Sequence, residues 1–268
     1  MSQAVSSILQ QILESTRNEV ARRKQQFPLA TLQAHELYTR KPFSLKATLQ
    51  LAHSPQIIAE FKRRSPSKGE INPSATIESV VRGYQNAGAV AVSVLTDGSY
   101  FGGSLQDLEA ARSLTSLPIL RKDFMVDAYQ LHEAKAHGAD LVLLIAAALD
   151  VRTCRELAQE AHALGLEVLL EVHSLEELHS HYSPEVDLLG VNNRSLSSFA
   201  TSIEVSRSIA SQLPKAVPTI AESGLQDANS VQQLWQLGYK GFLIGETFMR
   251  SNSPGLSCQQ LIGALQAR

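Results

Sequence analysis

Cysteine is scarce in this chain. Two among 268 residues, Cys154 and Cys258, lie far apart in helix-like stretches and form neither a metal motif nor a redox pair. The fold therefore has to rest on an apolar core, for which an apolar fraction of 44% suffices. Long apolar runs are also missing. The longest, Leu141 to Leu149, is too short to span a bilayer. Residues 1–26 carry charge throughout and hold no apolar signal segment. A cytoplasmic protein without membrane contact is expected. There is no basic block, and the net charge of -2 argues against nucleic acid as a partner. Small anions remain open, because they need only a local positive site. No His, Cys, Asp or Glu spacing suggests a metal, and no Gly-x-Gly-x-x-Gly follows the first strand, which argues against a doubly wound sheet.

What the chain does have is a repeating theme. Residues 4–26 carry Val5, Ile8, Leu9, Ile12, Leu13 and Val20 at helical spacing, and Pro28 ends that helix. A connector with a short helix around Ser44 to Ala52 follows. From residue 56 onward, short apolar runs alternate with helical patterns. The runs predict strands at 56–62, 90–95, 118–122, 140–145, 167–172, 187–191, 217–222 and 241–245, with a helix after each. Gly88, Gly138, Gly165 and Gly238 stand where helix C-caps belong. Eight such units point to an α/β fold, a (β/α)8 TIM barrel, which takes roughly 250 residues. Residues 1–268 are expected to form one barrel domain, with 1–54 as an N-terminal helical extension.

The ends of these strands are not core-like. Glu60 and Lys62 lie two apart and share a side. Alone they would be an ordinary ion pair, but the pattern recurs. Leu120 shares a face with Lys122, Leu169 with Glu171, and Ile220 with Glu222. If the leucines and isoleucine fill the barrel, the charged groups stand above them around the axis, with Asn192 and Gly245 at the same level. That end of a barrel is where its chemistry sits. Asp123 and His173 are expected to alternate away from the axis or to lie in loops, and Ser104 to cap a helix.

Two lysines among three acids should stay cationic. At ~4 Å and an effective dielectric near 20, one opposite charge is worth ~4 kcal/mol, about three pKa units. Such a lysine is a general acid rather than a Schiff-base nucleophile. Ala221–Leu225 and Gly241–Thr247 add Ser223, Gly224, Gly245 and Glu246 after strands 7 and 8, where glycine lets backbone N–H groups approach a phosphate.

At these residues the chain resembles the indole-3-glycerol phosphate synthase family. The resemblance rests on 58–69 (IAEFKRRSPSKG), 93–97 (SVLTD) with 101–105 (FGGSL), 118–124 (PILRKDF), 169–173 (LLEVH), 190–194 (GVNNR), 221–224 (AESG) and 241–246 (GFLIGE), in the family's order. Glu246 departs from the serine found in some members. The resemblance implies a cofactor-free decarboxylating and dehydrating ring closure of 1-(2-carboxyphenylamino)-1-deoxyribulose 5-phosphate to indole-3-glycerol phosphate in tryptophan biosynthesis. It implies Lys122 as general acid, and Glu171 with Lys62 and Glu60 for loss of the hydroxyl. Asn192, Arg194 and Ser65 would position the substrate, and Glu222 would order Lys122 or the substrate hydroxyls. Lys62, Ser223, Gly224, Gly245 and Glu246 would hold phosphate. Pro66, Phe101, Phe124 and Leu144 would wall the aromatic ring. A monomer acting on a small phosphorylated molecule is expected. The rival readings are a sugar-phosphate isomerase and a non-catalytic phosphate binder. The aromatic residues argue against the first, and retention of Lys122 and Glu171 against the second.

Overall fold

The computed structural model describes residues 8–195 and 199–267. The apolar runs become β1 (Gln56–Phe61), β2 (Ala91–Leu95), β3 (Ile119–Lys122), β4 (Leu141–Ile145), β5 (Glu167–Val172), β6 (Leu188–Asn192), β7 (Thr219–Glu222) and β8 (Gly241–Ile244). Each pairs in parallel with the next, and β8 closes on β1, giving a barrel without edges. Helices cover its outside, so the fold is the (β/α)8 TIM barrel read from the sequence. β3 and β7 start later than the sequence suggested. Pro118 and Pro218 have no N–H to give, and only their carbonyls pair, with Val92 and Leu189.

Alternation divides the apolar residues into two layers. Ile58, Ala91, Leu120, Leu141, Leu143, Ile145, Leu169, Leu188, Ile220 and Leu243 pack inside the barrel. The intervening strand residues, Leu144 among them, pack outward against the helices. Leu144 therefore belongs to the barrel–helix layer, a correction to its expected place in a ring-binding wall.

The N-terminal extension packs on the barrel through two helices. In α1 (Ile8–Gln26), Ile12, Leu13, Thr16 and Val20 are buried. Val5 lies outside the described residues. Helix α2 (Leu45–Gln50) is capped by Ser44, whose hydroxyl accepts from the Ala47 N–H. Its Leu45 and Leu49 are fully buried within the barrel-interior cluster. Asp140, immediately before β4, ties the extension to the barrel. Its Oδ1 accepts from Arg40 (2.7 Å) and the Phe43 N–H (2.7 Å), and its Oδ2 from Arg112 (2.8 Å) and the Ile119 N–H (2.7 Å).

Removing a buried carboxylate that holds two guanidinium groups leaves those charges uncompensated. Asp140→Ala is expected to lower unfolding stability by about 3–5 kcal/mol in urea, with an unchanged m-value. A loss below about 1 kcal/mol would contradict the role given to this anchor.

Candidate active site

The strand ends expected to converge do so. Lys122 ends β3, and its Nζ lies 3.1 Å from Glu171 Oε2 on β5 and 2.6 Å from Glu222 Oε2 on β7. Glu60, at the end of β1, accepts from Lys62 Nζ at 2.6 Å. Parallel register sets the levels: Glu171 is paired with Gly190, and Asn192 with Glu222. Two glycines make room for the acids. A Cβ on Gly190 would lie 2.3 Å from Glu222 Oε1, and one on Gly245 would lie 2.3 Å from Glu60 Oε1.

The surroundings pull the charges apart. Burial disfavours the Lys122 ammonium, but Glu171, Glu222 and Glu60 outweigh it and hold the group above the ordinary lysine range. Burial would also raise Glu171. Lys122, His173 and a hydrogen bond from Asn192 reverse that, holding it down to about 2. Glu222 has less help. Burial lifts it to about 7, with Lys122 opposing and the Glu171 charge adding to the rise. Its Oε1 is also buried without a hydrogen-bond partner.

Around this cluster opens a cavity of about 810 Å³. Glu60, Lys62, Ser65, Pro66, Phe101, Lys122, Phe124, Glu171, Asn192, Arg194, Glu222, Ser223, Gly224, Gly245 and Glu246 all border it. Leu144 does not. On β4 the lining side chains are its neighbours Leu143 and Ile145. The rings of Phe101 and Phe124 lie 6.3 Å apart and form an apolar side. Asp123, expected to alternate away from the axis, also borders the cavity; it pairs with Arg121 at 3.0 Å and accepts from the Phe124 N–H at 2.9 Å. Ser104 caps the helix Leu105–Leu114, as read from the sequence, and Asp97 caps the turn Gly98–Phe101.

The opposite side of the cavity suits an anion. Ser223 adopts φ 64° and Gly224 φ 73°, and the Asn193 amide bonds the carbonyls of Glu222 and Ser223. A serine held in the left-handed region is a costly conformation of the kind found at ligand sites. The Glu246 carboxylate lies 3.0 Å from Arg194 and 2.5 Å from Arg250. Two cations thus occupy its side chain. Arg194 also donates to Ser67 Oγ at 3.2 Å, linking the loops after β6, β8 and β1.

Several features were not legible. The loop after β1 forms a small hairpin, Arg64–Ser65 with Gly69–Glu70, whose turn carries Pro66, Ser67 and Lys68 over the cavity. Ile8, Leu9 and Ile12 of α1 line the cavity too, although the helix pattern pointed only to docking. His173 lies in the loop just after β5, as one of its two expected placements had it, and outside the cavity lining, but it stays close to Glu171. Its Nε2 lies 3.5 Å from Glu171 Oε1. Among the described residues one group, His35, Glu109 and His137, gathers three metal-type ligands within 4.8 Å. It does not border this cavity, and its atoms are engaged: Glu109 bonds His137 Nδ1 at 2.9 Å, and His35 Nδ1 accepts from the Leu37 N–H.

A closed barrel that holds a lysine between acids at the C-terminal ends of its strands defines an enzyme site of the acid–base type. A family model described as indole-3-glycerol phosphate synthase matches residues 9–261. A relative of that name from Bacteroides thetaiotaomicron is 49% identical over 263 residues, 98% of this chain and 100% of the relative. Another from Rhodospirillum rubrum is 43% identical over 264 residues, 97% of this chain and 100% of the relative. The chain belongs to the indole-3-glycerol phosphate synthase family. Among solved structures, KGPDC from Streptococcus mutans aligns with a TM-score of 0.62 at 12% identity, covering 80% of this chain and 99% of that one. Thiamine phosphate pyrophosphorylase from Pyrococcus furiosus aligns at 0.59 and 18%, covering 79% of this chain and 96% of that one. Both share the fold alone.

The inequality of the two acids has a pH signature. With Glu222 lifted to about 7, it is protonated below that pH and anionic above it, while Glu171 stays ionised throughout. In carboxyl-labelled protein, 13C NMR should show a glutamate titrating near neutrality that disappears in Glu222→Gln. Titration of every glutamate below about pH 5 would contradict the assignment.

Proposed function

We propose that this cavity binds 1-(2-carboxyphenylamino)-1-deoxyribulose 5-phosphate and closes its indole ring, releasing CO2 and water. The observation that carries the reading is the Lys122 ammonium, fixed between Glu171 and Glu222 at the C-terminal end of the strands. The phosphate enters the rim of Ser223, Gly224, Gly245 and Glu246, where the backbone N–H groups receive it, and Lys62 supplies further charge. Arg194, Asn192 and Ser65 hold the carboxylate and hydroxyls. Phe101, Phe124 and Pro66 enclose the aromatic ring.

The chemistry then follows from the charges. The ring carbon bearing the carboxylate attacks the ribulose carbonyl, and Lys122 gives its proton to the carbonyl oxygen. The bond to the carboxylate breaks, its electron pair restores aromaticity, and neutral CO2 leaves. An apolar wall favours that loss of charge. The new hydroxyl departs as water, which needs one proton delivered to oxygen and one removed from carbon. Glu171, kept ionised, is suited to be the base, and Lys62, held by Glu60, to be the acid. Glu222 orders Lys122. No step calls for a cofactor. One barrel, with residues 1–54 as its extension, acts as a monomer in the cytoplasm under this reading. No described helix is long and apolar enough to cross a membrane.

Mixing the purified protein with the carboxyphenylamino substrate should raise indole fluorescence. Lys122→Ala should lose most of that turnover yet still bind the product. Turnover retained within about tenfold, roughly 1.4 kcal/mol of barrier, would contradict the general-acid assignment. Tight substrate binding by the wild type without any fluorescence would favour a non-catalytic phosphate binder.

A further inference from the structure

The ring closure consumes one proton per turnover. One proton goes to the carbonyl oxygen, one to the departing hydroxyl, and one comes back from carbon, while the carboxylate leaves as neutral CO2. Lys122 spends its proton early, when substrate fills the cavity in front of it. A route from behind would recharge it without waiting for the cavity to empty.

The structure places one there. Glu171 faces two ways: Oε2 lies 3.1 Å from Lys122 Nζ, and Oε1 lies 3.5 Å from His173 Nε2. That imidazole nitrogen is buried and has no hydrogen-bond partner, so Glu171 is the polar group it faces. The other ring nitrogen, Nδ1, lies 3.4 Å from Glu177 Oε2. Glu177 is in turn fixed from two sides: its N–H bonds the hydroxyl of Ser174, which caps the helix Leu175–His181, and its carboxylate accepts the His173 N–H at 2.6 Å. A quarter of the Glu177 side chain is exposed, whereas that of His173 is 12% exposed and does not border the cavity. At 3.4 and 3.5 Å both contacts are longer than a working hydrogen bond and have to shorten before a proton can pass.

We propose that His173 and Glu177 form a proton relay between solvent and the Glu171–Lys122 pair. The relay moves protons only. Nδ1 takes one from the Glu177 side, Nε2 passes one to the ionised Glu171 at Oε1, and the carboxyl group turns about its Cγ–Cδ bond and gives that same proton to the neutral Lys122; the proton that Glu171 later takes from carbon returns to solvent by the same path. No other bond is made or broken. The charged groups facing the imidazole suit this task. Burial works against its protonation, while Glu177, Glu171 and the more distant Glu222 favour it, and the balance lies on the protonated side of an ordinary histidine. His181 faces Glu177 from the same helix. His173 touches no substrate, so it is a positioning and supply residue rather than a catalytic one.

The inference rests on the roles given above to Lys122 and Glu171, and the test separates the two. His173→Asn and His173→Gln should each form indole at a wild-type rate, within about twofold, when enzyme exceeds substrate, because the first turnover uses protons already in place. Their steady-state turnover should fall about tenfold, and added imidazole should restore it in proportion to its concentration. Glu177→Gln should show the same division more weakly. Equal losses in the single-turnover and steady-state rates, without rescue by imidazole, would mark His173 as a structural residue and overturn the relay. Unchanged steady-state turnover would overturn it as well. Glu171→Gln is the control: full turnover in that variant would mean that the roles of Lys122 and Glu171 themselves are wrong, whereas its loss beside an unaffected His173→Asn means that the relay alone fails.

Discussion

The Lys122 ammonium is the constraint on which the upper half of this barrel depends. A charge in that position is unfavourable unless acids surround it, and three acids so close are unfavourable unless a cation joins them. The contacts of 2.6 and 3.1 Å to Glu222 and Glu171 satisfy both demands. They also divide the labour. Glu171 has Lys122, Asn192 and His173 in support and stays ionised, whereas Glu222 keeps one oxygen unpaired and is held near neutrality. The cluster therefore stores a proton on the lysine and keeps a ready acceptor beside it, which is what a ring closure with two proton deliveries and one removal requires.

The rest of the fold serves to hold these side chains at one level. Barrel closure brings strands distant in sequence together, and their register decides who meets whom. Inside, a column of leucine, isoleucine and alanine supports the charged layer from below, and Leu45 and Leu49 of α2 pack into that same interior cluster. Asp140 accepts two hydrogen bonds from the extension, through Arg40 and Phe43, and two from the barrel, through Arg112 and Ile119. The same extension reaches the mouth through Ile8 and Leu9, so one N-terminal segment contributes to both the support and the walls of the site.

Much of this could be read from residue order because a strand end that turns from apolar to ionisable carries its own direction. Leu120 with Lys122, Leu169 with Glu171, and Ile220 with Glu222 each named the inner face, and each pair lies as expected. β4 offered no such marker. It is apolar on both faces, so nothing in its composition separates Leu144, which packs outward, from Leu143 and Ile145, which line the cavity. Gly190 was invisible for another reason. Its importance is the space it leaves for Glu222, which exists only once β6 and β7 are in register. The hairpin after β1 and the place of the first turn of α1 are likewise tertiary facts. The nearness of His173 to Glu171 is another tertiary fact, since β5 ends at Val172 and the loop that follows decides where the imidazole goes.

The most direct test of the account is the charge state of Lys122 in the resting protein. In 13C-lysine-labelled protein, the Cε resonance of Lys122, assigned through Lys122→Arg, can be followed against pH. The expected result is a group that remains an ammonium through and beyond the ordinary lysine value of about 10.4, and whose titration moves downward in Glu171→Gln and Glu222→Gln. A neutral amine at pH 8 would contradict the account, because Lys122 would then have no proton to give.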